Sequence, residues 1–483
     1  MDNKKVFSNL IWRFLERCGS QGVSFVVSII LARLLVPEDY GAIALVTVFT
    51  AILNVFINSG LGTALIQKKD ADDLDFSTVF YFNVAMCLAM YGLLFLAAPL
   101  IAAFYEMPGL TPLIRTLGLT LVISGVNNIQ NSYVSKRMQF KRFFFATLGG
   151  TVCSAIVGIV MAYKGFGVWA LIAQTLVSNA TNTAILWITV KWRPKWMFSW
   201  KRLKGLFSYG WRLLATSLIN TLYTKIRQLI IGKVYTSGDL AYYNKADQFP
   251  HLVVTNINTS IDSVLLPAMS AEQDDPKRVK MMTRRAIRIS SYTMWPMMFG
   301  LAAVAEPMIR LLLTEKWLPC VLYLRVFCVV YGFQPLQTAN LNAIKAMGRS
   351  DIFLKLDILK KAIGLTIMFA TIFISVEVMA LSYLATSVLS AFINAYPNKK
   401  LLGYSFGEQV KDILPSLCLS TVMFIVCYSV TFLGIGDLLT ILIQIVTGVA
   451  VYVAGSVICK MENFYYLLGI LKNYLPKKKR KVC

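Results

Sequence analysis

Charged side chains inside otherwise apolar segments are the residues of this sequence most suited to chemistry. The basic ones fit an anionic ligand, because the planar guanidinium of arginine matches phosphate geometry. Glu16 and Asp262 are the acidic counterparts and the candidates for binding a coupling ion. The basic candidates for a ligand-binding lumen are Arg13, Arg17, Arg212, Lys225, Arg227 and Arg325.

These candidates recur with other polar residues at spacings of three and four, which places each set on one face of a helix. The first set is Arg13, Glu16, Arg17, Ser20, Gln21 and Ser24. The second is Arg212, Thr216, Asn220, Tyr223, Thr224 and Arg227, with Lys225 beside it. The third is His251, Thr255, Asn258, Thr259 and Asp262.

A second interpretation competes for the basic residues near segment ends. Arg13, Arg17 and Arg212 could extend to the lipid headgroups and serve no ligand. Lys225 and Arg325 lie well inside their segments, where a charge facing lipid costs ~2.5–3.5 kcal/mol. We therefore expect these two to face a water-filled interior.

The composition identifies the class of protein. The chain has 483 residues, of which 57% are hydrophobic and 15% charged. Soluble domains carry about 25% charged residues, so a soluble enzyme, a disordered chain and a disulfide scaffold are excluded. Basic residues outnumber acidic ones by 48 to 24, which on a membrane protein indicates basic cytoplasmic loops and an anionic partner.

Several chemistries lack their usual residues in this sequence. His251 is the single histidine, so the chain cannot form a metal site with several histidine ligands, and no GxxxxGK[ST] phosphate loop is present. The nine cysteines include no CxxC pair and lie mostly in apolar stretches, as small apolar residues do. We expect no metal, no cofactor and no catalytic residues.

The fold class predicted is an all-α integral membrane protein with about fourteen transmembrane helices. Basic residues concentrate in alternate loops, which predicts that both termini are cytoplasmic. The basic stretch PKKKRKV at 476–482 is then a membrane-surface anchor rather than a nuclear import signal, and 464–475 an interfacial helix. The predicted spans are 11–35, 42–67, 76–105, 110–134, 143–163, 165–190, 208–233, 248–270, 286–313, 317–344, 352–376, 378–398, 413–436 and 438–459.

An internal repeat predicts how the spans are grouped. Trp12-Arg13-Phe14-Leu15 recurs as Trp211-Arg212-Leu213-Leu214, and GVNNIQ at 125–130 corresponds to GFQPLQ at 332–337. Six spans per repeat keep the two halves in the same orientation, as in transporters that bind substrate between halves. The predicted domains are six-helix bundles at 1–200 and 205–405, two further helices at 406–459 and a basic tail at 460–483.

Five short motifs resemble one known family across nearly the whole chain. They are PEDYG at 37–41, SGLGTALIQKKD at 59–70, STVFYFNV at 77–84, LLPAMS at 265–270 and LNAIKAMGRSD at 341–351. In order and spacing they resemble the polysaccharide-exporting branch of the multidrug/oligosaccharidyl-lipid/polysaccharide (MOP) superfamily, and most of all Wzx-type flippases of the colanic and teichuronic acid kind.

The resemblance implies a function and its partners. Such proteins move undecaprenyl-pyrophosphate-linked oligosaccharide repeat units across the bacterial inner membrane, by alternating access through a cationic cavity and with an ion gradient. The expected partners are this lipid-linked oligosaccharide, membrane lipids and other polysaccharide-assembly proteins, with no nucleic acid.

Two alternatives stay open at this stage. An ion-coupled exporter of small organic cations would depend on Glu16 or Asp262. A membrane enzyme, such as a polysaccharide polymerase or ligase, would need a catalytic outer loop. The longest candidate, 234–247, offers little beyond Asp239, Lys245 and Asp247.

Overall fold

The structure is a computed structural model that describes residues 3–57 and 60–474, without the side chains of 3–11, 13–15, 17, 18, 209 and 470–474. Helices account for 87% of the described residues, and no strand occurs among them. The α-helices are α1 (Asn3–Leu34), α2 (Pro37–Ile57), α3 (Leu61–Gln67), α4 (Asp73–Phe104), α5 (Leu110–Lys136), α6 (Phe140–Tyr163), α7 (Val168–Thr189), α8 (Trp200–Val234), α9 (Ser237–Ala271), α10 (Pro276–Ala303), α11 (Ala305–Leu313), α12 (Cys320–Gly332), α13 (Gln334–Ala346), α14 (Ser350–Thr371), α15 (Val376–Leu402), α16 (Phe406–Ser429), α17 (Asp437–Ile458) and α18 (Glu462–Tyr474).

The predicted fold class, an all-α integral membrane protein, is confirmed. Within the described residues, nine helical segments are long and apolar enough to cross a membrane, or ten if α10 and α11, which meet at 61°, form one span. Each of the fourteen predicted spans falls on one helix or on a helix pair with a short break. The number fourteen itself stays a prediction, because several of these helices carry too many polar residues to qualify by composition.

Three of the predicted spans are interrupted helices. Between α2 and α3 the described residue is Gly60, whose φ of 72° lies in the left-handed region that favours glycine. The α12–α13 break falls at Phe333, next to Pro335 in the first turn of α13, where proline is tolerated. The α10–α11 pair breaks at Val304.

The chain divides into two compact units, Met1–Ala241 and Tyr242–Cys483. In the first unit α4 packs on α5, α5 on α7 and α6 on α7. The second unit repeats this arrangement, with α10 on α12 and α13, these on α15, and α14 on α15. Helix α8 packs on α2, α3 and α4 of the first unit. The six-helix halves predicted from the repeat remain a prediction.

Helix α2 makes two close approaches at glycines of the first unit, one to the first residue of α9 and one to α8. A Cβ on Gly41 would overlap the carbonyl oxygen of Ser237, and one on Gly232 would overlap the side chain of Leu45. Small residues at such contacts let helix backbones come together where no hydrophobic effect drives association. Gly41 is the glycine of the PEDYG motif, so the motif has a packing role.

Buried polar clusters join α16 to the second unit. Asp412 is almost fully buried and accepts hydrogen bonds from Arg284 at 2.7 and 2.9 Å, from Arg288 at 3.0 Å and from the Tyr404 hydroxyl at 2.8 Å. One turn earlier, Gln409 is also buried. The Gln409 carboxamide bonds to Asn340 of α13, which in turn bonds to Asn398 of α15.

We predict that Gly41→Ala destabilises the first unit, because the new methyl group meets backbone that cannot move aside. Overpacking of this kind costs about 1–3 kcal/mol. Thermal unfolding of the purified protein in detergent measures the change. The matched control is Gly92→Ala in α4, where a Cβ meets nothing within 4 Å and the substitution gains up to about 1 kcal/mol of helix propensity. Equal stability of the two variants would contradict this packing account.

Candidate functional site

The acidic candidate Glu16 belongs to a hydrogen-bonded network inside the first unit. Thr147 of α6 donates to the Glu16 carboxylate at 3.3 Å, and Asn182 of α7 lies 3.5 Å from the same hydroxyl. Asn127 of α5 donates to Asn182 at 3.1 Å. The network therefore joins four helices around one carboxylate.

Two of these residues were missed by the sequence reasoning. Thr147 and Asn182 lie in segments without charge that were treated only as apolar spans. Their contribution depends on the packing of α1 on α6 and of α6 on α7, which spacing along a single helix does not show. The side chains of Arg13 and Arg17, which share α1 with Glu16, lie outside the described residues, and their ligand role stays a prediction.

Helix α8 presents a polar face along its middle. Arg212, Thr216, Asn220 and Thr224 are all exposed, at intervals of four residues. Further along the helix Lys225 and Arg227 are half-buried, and the Lys225 ammonium donates to Gln228 at 3.2 Å. Three of the six basic candidates for a ligand site therefore lie in α8, on its polar face or beside it.

Ion pairs hold α8 to the first unit at both ends. At its beginning Arg202 lies 3.1 Å from both Asp72 and the fully buried Asp75, which also accepts from Lys68 at 2.6 Å. At its end the Lys233 ammonium donates to Glu106 at 2.8 Å, and this hydrogen bond lowers the pKa of the Glu106 carboxyl. The polar face between these anchors is left exposed.

The second unit carries its polar residues along α9. His251, Thr255, Thr259 and Asp262 are exposed. The Asp262 carboxylate accepts a hydrogen bond from the buried Asn342 of α13 at 2.6 Å. The carboxylates of Glu16 and Asp262 therefore each accept a hydrogen bond, from a hydroxyl and from an amide respectively. Glu16 belongs to the first unit and Asp262 to the second.

Arg325 has several partners within the second unit. Its guanidinium lies 3.6 Å from the Glu306 carboxylate and 5.1 Å from the ring centroid of Tyr428, and its Nε donates to the carbonyl of Ala302 at 3.4 Å. Glu306 also pairs with Arg310, which reaches Asp437 of α17. Arg325 therefore has a packing role whether or not it binds a ligand.

The arrangement of helices is that of the MOP transporters. The chain is similar to the structure described as "Lipid II flippase MurJ, inward closed conformation", with a TM-score of 0.73, 17% identity, and coverage of 94% of this chain and 98% of that one. An inward-facing multidrug resistance MATE family transporter of the MOP superfamily gives a TM-score of 0.64 at 17% identity, covering 79% and 94%. At such identities the likeness establishes the fold.

Sequence comparison identifies the family. The family model described as "Polysaccharide biosynthesis protein" matches residues 30–322, more than half of the chain, so the chain belongs to this family. TuaB of Bacillus subtilis, a teichuronic acid biosynthesis protein, is 23% identical over 99% of this chain and 98% of its own. WzxC of Escherichia coli, a lipopolysaccharide biosynthesis protein, is 23% identical, covering 90% and 89%. ExoT of Rhizobium meliloti, a succinoglycan biosynthesis transport protein, is 26% identical, covering 65% and 64%. The resemblance found in the sequence motifs is confirmed.

We predict that Arg202→Gln loosens α8 at its first anchor, since the buried Asp75 keeps only Lys68 as a cationic partner. We expect a lower unfolding free energy than in the wild type, because the carboxylate of Asp75 stays buried with one cation fewer to compensate it. Thermal unfolding measures it, with Lys201→Gln as the control because Lys201 is exposed on the same turn. A loss no larger than that of the control would show that this anchor contributes little.

Proposed function

We propose that this protein translocates lipid-linked oligosaccharide repeat units across the bacterial inner membrane for surface polysaccharide biosynthesis. The proposed carrier is undecaprenyl pyrophosphate, and the proposed orientation places both termini in the cytoplasm. The observation that carries the proposal is the polar face of α8, with Arg212 exposed and Lys225 and Arg227 half-buried on or beside it. Family membership and full-length similarity to TuaB support it.

The position of Lys225 explains why this face suits a charged ligand. Lys225 lies nine residues before the end of α8, or about 14 Å along the helix at 1.5 Å per residue. A cation facing lipid at that depth would cost ~2.5–3.5 kcal/mol, so a water-filled interior is the favourable environment. Cations in such an interior attract a pyrophosphate, and Arg227, two residues from Lys225, can bind a phosphate group in bidentate fashion.

Alternating access is the proposed mechanism. The polar face of α8 opens first to the cytoplasmic leaflet, where the pyrophosphate and sugars enter, and then to the outer leaflet. The isoprenoid chain stays in the lipid, because transferring it into water would expose a long apolar surface. The chain makes and breaks no covalent bonds in this scheme, and Glu16 and Asp262 are the proposed sites of ion coupling.

Export of small organic molecules is the second candidate function. The MATE structure that shares the fold is described as a multidrug resistance transporter, and Glu16 and Asp262 are carboxylates able to attract an organic cation. This function predicts drug resistance on overexpression that is lost in Glu16→Gln or Asp262→Asn. Unchanged drug susceptibility on overexpression would count against it.

We predict that Lys225→Gln slows flipping of a fluorescent undecaprenyl-pyrophosphate oligosaccharide in proteoliposomes, because the proposed lumen loses a charge contact to phosphate. Each charge-assisted contact is worth about 1.5–3 kcal/mol, hence at least about tenfold in rate. Accessibility of the label to a membrane-impermeant quencher measures flipping. Lys204→Gln is the matched control, since Lys204 is exposed near the other end of α8. Flipping by Lys225→Gln at the control rate would remove Lys225 from the site.

Arg325 needs a more conservative test, because removing it also breaks contacts to Glu306 and Tyr428. Arg325→Lys keeps the charge and loses the bidentate geometry, so we expect partial flipping. The thermal midpoint of the same preparation separates a folding defect from a lost ligand contact. Full flipping in both Arg325→Lys and a folded Arg325→Ala variant would exclude Arg325 from the lumen.

A further inference from the structure

A cavity opens between α3 and α8 of the first unit, beside the first anchor of α8. Its volume is about 450 Å³. The buried residues that line it, Ala64 and Leu206, are apolar. The other lining residues are exposed or half-buried, and they are Gln67, Lys68, Lys201, Arg202 and Gly205. We call this space the α3–α8 cavity.

The cations of the α3–α8 cavity outnumber the carboxylates that pair with them. Lys68 and Arg202 both pair with the buried Asp75, at 2.6 and 3.1 Å, and Arg202 also lies 3.1 Å from Asp72. The third cation, Lys201, is exposed, and no partner for its ammonium lies in the part of the chain that the structure describes. Three cations against two carboxylates leave one positive charge, which suits a ligand with a single negative charge.

The α8 wall of the cavity is left open by a glycine. A Cβ placed on Gly205 would meet no atom within 4 Å. Across from it Gln67 of α3 is exposed, and its carboxamide can donate to an oxygen of a ligand. Ammonium, guanidinium and amide donors around an open space are the groups that bind a phosphate.

Bulky aromatic side chains are exposed immediately before the cavity residues of α8. Trp196 is 94% exposed, Phe198 43% and Trp200 65%. Tryptophan is enriched at the interface between membrane and water, where its ring lies at the level of the headgroups. Aromatic side chains interleaved with basic ones are typical of surfaces that contact anionic lipids.

Hydrogen bonds to α4 hold the loop between α7 and α8 that carries these aromatic residues. The backbone amides of Lys195 and Ser199 donate to the buried hydroxyls of Ser77 and Thr78, at 3.0 and 3.2 Å. The Lys195 ammonium also pairs with Asp73 at 2.6 Å. Ser77 and Thr78 begin the STVFYFNV motif, so this motif fixes the loop to the start of α4.

We propose that the α3–α8 cavity binds the headgroup of an anionic phospholipid. Lys68, Lys201 and Arg202 surround the phosphate, while Phe198 and Trp200 lie among the neighbouring headgroups. Phosphatidylglycerol fits the charge, because it carries one net negative charge. The bound lipid joins α3 to α8 and adds to the ion pairs at the first anchor. Lipid binding does not depend on the proposed function; only its assignment to the cytoplasmic leaflet does.

Thermal unfolding of the full-length protein in detergent, with and without added lipid, tests the site. We expect phosphatidylglycerol to raise the unfolding midpoint, and phosphatidylcholine with the same acyl chains or inorganic phosphate to leave it unchanged. Absence of a shift with phosphatidylglycerol would overturn the proposal. An equal shift with inorganic phosphate would show a site for free anions and overturn the assignment to lipid.

Two charge variants separate the cavity from general attraction between a basic surface and an anionic lipid. Lys201→Gln should unfold like the wild type without lipid, because its ammonium holds no described group. It should need about fivefold more phosphatidylglycerol for the same shift, the contribution of one lysine near an anionic lipid surface. Lys204→Gln is the matched control, since Lys204 is exposed on α8 but does not line the cavity. Equal weakening in both variants would overturn the site.

A third variant blocks the cavity without changing any charge. Gly205→Leu places a side chain in the open space, and leucine favours a helix more than glycine does, so we expect a folded protein. The lipid-dependent shift should be lost. Gly92→Leu in α4 is the control for added apolar bulk, because a Cβ there also meets nothing within 4 Å. A full shift in Gly205→Leu would show that the lipid binds elsewhere.

Discussion

A polar group in the hydrocarbon core must find a partner in the protein or in water, and most of this structure follows from that constraint. The second unit meets it with partners: Asp412 is enclosed by Arg284, Arg288 and Tyr404, and an amide cluster connects α13, α15 and α16. These contacts attach the last helices to the unit. Where polar residues are exposed in long rows instead, on α8 and α9, water must reach them, and a polar ligand can follow the same route.

Helix α8 has polar residues of both kinds, paired with protein groups at its ends and exposed along its middle. Its ends pair with acidic residues beside the two ends of α4, while close packing at Gly232 brings its body against α2. The anchored ends fix the direction in which its basic stripe points. In the proposed function this face would select a pyrophosphate by geometry as well as by charge, because side chains that are already positioned lose less entropy on binding.

The sequence was sufficient for the fold class, the positions of the helices and the family, since all three depend on composition, hydrophobic periodicity and local motifs. The sequence was insufficient to predict which side chains contact each other across helices. Thr147 and Asn182 looked like ordinary residues of apolar spans, and Asp247 was considered only as part of a loop between spans, although it lies in α9 opposite Tyr331. Arg325 was chosen for its depth, whereas its contacts to Glu306 and Tyr428 follow from packing of helices far apart in sequence. Side-chain contacts between distant helices leave no periodic signal in a single sequence.

The central claim is that this protein moves a lipid-linked oligosaccharide from one leaflet to the other. It is tested most directly by measuring the lipid-linked sugar pool, resolved by leaflet, in a strain that lacks the gene and any redundant flippase. The account predicts that an undecaprenyl-pyrophosphate oligosaccharide accumulates facing the cytoplasm while surface polysaccharide disappears, which would also identify the glycan. An unchanged pool with normal surface polysaccharide would contradict the account.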